Sequence, residues 1–114
     1  KIYVGRHDFF RGAIYAPDAA KNILALIEDG SLNRQPVNIG GKQDYIRDIV
    51  SHVCESTNCP FDKIVFNMEE QGHQAKWLDS SKAMKVLGDK YQITDWNESL
   101  GPTIEYYREC LRKI

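Results

Sequence analysis

Residues 77–88, Trp-Leu-Asp-Ser-Ser-Lys-Ala-Met-Lys-Val-Leu-Gly, carry the tightest constraint in the chain. An apolar pair, Trp77 and Leu78, runs directly into Asp79, Ser80 and Ser81. Any of those three can offer a side-chain oxygen to the free N–H groups of a first helical turn. Ala83, Val86 and Leu87 then share one face, and Gly88 supplies the residue that most readily closes a helix. A helix this short has no stability of its own. It must dock on other elements, and the polar segment before it, Gln71 to Lys76, is polar enough to line a site. The sequence thus predicts a short capped helix joined to a polar loop, and the rest of the chain must supply the support for both.

The remaining elements alternate. Lys1–Val4 reads as a strand and Ala13–Ala16 as a second. Pro17-Asp18 opens a helix, because proline at the first turn forfeits no hydrogen bond. Ala20, Ile23, Leu24 and Ile27 recur at helical spacing, and Asp29-Gly30 ends the run. Pro36–Ile39, bounded by Gly40-Gly41, reads as a strand. Asp44 is placed to cap the next helix, whose stripe is Ile46, Ile49, Val50 and Val53 and which runs to about Ser56. Asn58-Cys59-Pro60 stops it. Lys63–Met68 is a strand. Thr94 or Asp95 caps a turn with Trp96 and Leu100. Gly101-Pro102 then predicts a break, since an interior proline costs about 3 kcal/mol. The main last helix is expected to start near Pro102, with Ile104, Tyr107 and Leu111 facing the core. The fold class is α/β, with short strands alternating with helices. A strand at Val37–Ile39 between two helices would normally be buried in a larger parallel sheet.

Composition excludes more than it selects. A net charge of -1 gives no field to gather nucleic acid or an anionic membrane surface, and neither is expected as a partner. No apolar run approaches the ~20 residues of a membrane span. Three cysteines without a framework point to a reducing, cytoplasmic setting, and Cys54, Cys59 and the scattered histidines lack metal-site spacing. The chain opens on Lys1 without an initiator methionine and reads as a segment of a longer protein or a mature fragment. No Gly-rich phosphate loop and no nucleophile–base constellation is visible. Four residues stand out as binding candidates. Arg11 lies between Phe10 and Gly12, and its planar fork suits phosphate or carboxylate unless it is paired internally. Lys76 either points into a cleft or is a surface lysine. Asp79 is a ribose ligand or, more simply, a cap. His73 is a ligand or an ordinary loop residue.

Several runs together resemble one family. Arg11-Gly12-Ala13-Ile14-Tyr15-Ala16-Pro17-Asp18, Val37-Asn38-Ile39-Gly40-Gly41 and Tyr45-Ile46-Arg47-Asp48-Ile49 are similar, in order, to segments of the extended short-chain dehydrogenases/reductases, the NAD-dependent epimerase/dehydratase group. Leu78-Asp79-Ser80-Ser81-Lys82-Ala83 with Leu87-Gly88, and Leu100 to Arg108, continue the match in register. Lys63–Phe66 and Gly72–Lys82 look most like the GDP-L-fucose synthase subgroup. Gly12 and Ala13 stand where the family carries an acidic and an aromatic residue.

The resemblance implies that residues 1–114 are the C-terminal, nucleotide-sugar-binding part of such an enzyme. A Rossmann half, N-terminal to it, would hold NAD(P) and the catalytic Tyr-x-x-x-Lys pair, and residues 36–56 would pack on that half. No cofactor is expected on this segment. It implies that Arg11 meets the diphosphate of the nucleotide sugar and that the loop before Leu78-Asp79 closes over the nucleotide, which brings in Lys76. The alternative expectation is a non-catalytic relative with a regulatory or scaffolding role. Apolar faces near Ile23 and Ile49 also make a homo-oligomer conceivable.

Overall fold

The computed structural model describes residues 1–114. Five short strands and four helices run in the order β1 (Ile2–Val4), β2 (Phe10–Ala13), α1 (Ala16–Asp29), β3 (Lys42–Tyr45), α2 (Ile46–Thr57), β4 (Ile64–Phe66), β5 (Ala75–Lys76), α3 (Ser81–Leu87) and α4 (Trp96–Arg112). Single 3-10 turns lie at Phe61–Lys63 and Gly88–Lys90. β1 and β4 pair in parallel, with Ile2 opposite Ile64, Tyr3 opposite Val65 and Val4 opposite Phe66. The other sheet has three strands in the order β3-β2-β5. The chain divides into two compact units, one of Lys1–Arg11, Asp44–Ala75 and Asp95–Ile114, the other of Gly12–Gln43 and Lys76–Thr94. No helix is long and apolar enough to cross a membrane.

In the first unit α2 packs on α4. Cys54 is buried there, and His52 stacks on Trp96 with ring centroids 6.2 Å apart. His7 meets Phe66 edge-on at 5.5 Å. α2 ends where Asn58 adopts the left-handed conformation, as an asparagine can with little penalty. In the second unit α3 docks on α1 through Ala83, fully buried, and Leu87, nearly so. α1 opens with Pro17 in its first turn and closes at Gly30. Its inner face is polar where it meets residues 91–94. Thr94 donates to Asp18 through its backbone N–H (2.7 Å) and its hydroxyl (2.9 Å). Asn22 takes the Gln92 N–H at 2.7 Å and donates to the Gln92 carbonyl at 3.0 Å. Both side chains are buried and satisfied, so this clamp carries no desolvation penalty without compensation.

Several expectations are corrected. The second strand is Phe10–Ala13 rather than Ala13–Ala16, because the helix already begins at Ala16. Pro36–Ile39 is not a strand. Val37 and Ile39 alternate with the exposed Asn38 as a strand would, yet no neighbouring strand bonds them. The strand lies further on, at Lys42–Tyr45, and it absorbs Asp44, which bonds the Tyr45 N–H instead of capping α2. The buried residue of α2 is Cys54, while Val53 is 36% exposed. Ser80 holds the N-cap position of α3 without capping it, since its hydroxyl accepts the Gly40 N–H at 2.7 Å. α4 is one helix through Pro102, which sits in its second turn. Tyr107 and Leu111 are 63% and 69% exposed rather than core.

Candidate functional site

In the first unit the site is built around Phe9, just before β2. The Arg11 guanidinium lies over the Phe9 ring, 4.8 Å from its centre, and Nη1 donates to the Phe10 carbonyl at 2.9 Å. Arg6 approaches the same ring at 5.4 Å. The two arginines differ in their partners. Arg6 forks onto Asp8 with two bonds of 2.9 Å and donates to the Met68 carbonyl at 2.7 Å. Those bonds hold the Asp8 carboxyl below the usual carboxylate range and raise the Arg6 pKa. Arg11 has no carboxylate partner. An arginine stacked on an aromatic face, half-buried and without a counter-ion, can still offer part of its planar fork to an anion.

The polar loop comes to the same place. The Phe10 N–H donates to the Gln74 carbonyl at 2.7 Å, which ties the loop to β2. Gly72 stands at φ 150°, a region that side chains rarely adopt. A Cβ there would lie 3.5 Å from Phe9 Cε2 and 3.9 Å from Arg11 Nη2. The loop backbone therefore rests on the Phe9–Arg11 stack. His73 follows on the loop and is exposed.

The second unit carries the other two candidates. Lys76 ends β5 and is exposed. Asp79 Oδ1 accepts the Ser81 N–H (3.0 Å) and the Ser81 hydroxyl (2.6 Å). Those bonds, the hydroxyl's first, hold its carboxyl below the ordinary range. Asp79 thus shapes the turn into α3. Glycine at position 12 has its reason here, since a Cβ would lie 3.2 Å from Trp77 Cβ. Gly40-Gly41 is no cradle for a dinucleotide. A Cβ at Gly41 would fall 2.3 Å from the Ala13 carbonyl oxygen, so protein backbone already fills that approach.

No family model matches the sequence, and no curated protein matches it. Among solved structures, one does. The chain is similar to part of a UDP-glucuronic acid 4-epimerase. That protein, from Bacillus cereus and solved in complex with NAD, aligns with a TM-score of 0.66 and 26% identity over 88% of this chain. The chain spans about 30% of the length of that structure. The likeness supports an epimerase-like α/β fold and does not support the GDP-L-fucose synthase subgroup over others.

Phe9 and Gly72 escaped sequence reasoning. The spacing of Arg6, Phe9 and Arg11 about one aromatic was the available signal for the first. The buried pair Asp18 and Asn22 was also missed, although two short polar residues one helical turn apart mark a polar stripe.

Proposed function

We propose that this chain is the nucleotide-sugar-binding part of an NAD(P)-dependent epimerase, dehydratase or reductase, and that Arg11 is its diphosphate ligand. The observation that carries the reading is the Phe9-stacked guanidinium without a carboxylate partner, with the loop at Gly72 lying against it. A delocalised planar cation suits two adjacent phosphates. His73, next to Gly72, is a second position for substrate contact in that unit. Lys76, exposed at the end of β5, is a separate candidate for a phosphate, and Asp79 contributes by shaping its turn and through an oxygen that no protein group engages. NAD(P) would be held by a Rossmann domain outside residues 1–114. Support for that reading comes from the second unit, where Ile23, Leu26, Ile27, Val37 and Ile39 line an open cavity of about 540 Å³. Residues 36–56 would include part of that contact.

Calorimetric titration of this chain with UDP, GDP and the matching nucleosides tests the reading. Arg11→Ala should weaken either diphosphate roughly 10- to 100-fold while leaving the nucleoside arm unchanged. Arg11→Lys should recover only part of the loss, because a lysine cannot form the fork. Unchanged diphosphate affinity in Arg11→Ala would remove the proposed ligand.

A further inference from the structure

The C-terminal end of α2 carries a pair of cysteines for which the nucleotide site has no use. Cys54 lies in the last turn, 7% exposed, and Cys59 follows the left-handed Asn58. The N–H groups of Asn58 and Cys59 both donate to the Cys54 carbonyl, the second at 3.0 Å. This doubled bond folds the chain back onto Cys54. It limits the separation of the two Cα atoms to at most about 7 Å. That limit coincides with the upper end of the ~4.4–6.8 Å range that a disulfide bridges. The environments of the two thiols differ. Cys59 is partly open to solvent, with a long contact of 3.7 Å to the Pro60 carbonyl. Cys54 is enclosed, and burial pushes its thiol pKa up. Cys110, on α4, is exposed.

We propose that Cys54 and Cys59 form a redox-modification site, closing an intramolecular disulfide by exchange with a low-molecular-weight disulfide. The Cys59 thiolate attacks one sulfur of that reagent, which is reduced, and one thiolate leaves. Cys54 then gives its proton to solvent and attacks Cys59 Sγ. The protein disulfide forms, the second small thiolate leaves, and both small thiolates take protons from water. Two protein thiols are oxidised and one small disulfide becomes two thiols. The order follows from access, because only Cys59 can be reached from outside, and the turn holds the Cys54 backbone close to that of Cys59.

The reduced 114-residue chain, equilibrated with graded ratios of reduced and oxidised glutathione, acid-quenched, alkylated and mapped by mass spectrometry, decides the matter. The expected product is two hydrogens lighter, joins Cys54 to Cys59, and leaves Cys110 open to alkylation. In Cys54→Ser, Cys59 should retain glutathione as a stable mixed disulfide. In Cys59→Ser, the thiol at position 54 should react at least roughly tenfold more slowly than Cys59 does. A wild-type chain that stops at the mixed disulfide, links either cysteine to Cys110 or to a second chain, or stays fully reduced overturns the proposal. The decisive mass is read on the wild type, so a variant that fails to fold changes nothing.

Discussion

Arg6 and Arg11 share the Phe9 ring, yet only Arg6 has a carboxylate. That difference singles out Arg11 as the proposed anion ligand, and no sequence pattern expresses it. Gly72 is the companion residue. Gly72→Ala would put a side chain at φ 150° and against the Phe9 ring, and should destabilise the chain by about 1–3 kcal/mol in urea unfolding. The same variant should weaken UDP binding if the loop positions Arg11. Asp79 gives a pH-dependent prediction. Its folded-state pKa lies below the ordinary value because of Ser81, so it contributes stability that is present above about pH 4 and lost as pH falls through the lowered value. Ser81→Ala should move the Asp79 midpoint, followed by carboxyl NMR, upward toward about 3.9. No upward movement would mean that the turn hydrogen bonds do not hold the carboxylate in solution.

At the scale of elements, α1 shows what period alone conveys. Its apolar spacing marked a helix correctly, but the helix meets residues 91–94 through Asp18 and Asn22, while Ile23 and Ile27 are 49% and 70% exposed. Asp18→Ala would leave the Thr94 N–H and hydroxyl unpaired and should cost about 2–3 kcal/mol by equilibrium unfolding. A loss below about 0.5 kcal/mol would show that water replaces the carboxylate. α4 makes the opposite case. Proline rules predicted a break at Pro102, and the helix continues because packing along α2 and the neighbouring turns outweighs one missing donor. Pro102→Ala restores that donor and should raise stability by roughly 1–3 kcal/mol, seen as a higher melting temperature.

For the whole molecule, the division into two units predicts separable protection. In hydrogen–deuterium exchange, Asp18→Ala should lose protection at Gln92, Thr94 and α1, with the β1–β4 ladder keeping its own. The alternation of strands and helices, the α1, α2 and α3 spans and the Ala83–Leu87 face were all legible in the chain, because they rest on local periodicity and on residues with strong backbone preferences. The polar clamp on α1, the unbroken α4, the failure of Val37–Ile39 to form a ladder, and the strand at Lys42–Tyr45 were not. Each depends on a partner distant in sequence. The short helix at 81–87 was determined by its own residues, down to the face it buries. What Asp79 and Ser80 do there was decided only by tertiary structure. Gly40 draws the Ser80 hydroxyl away from the helix, which leaves Asp79 to hold the turn through Ser81. A short side chain bonds whichever donor the fold brings nearest.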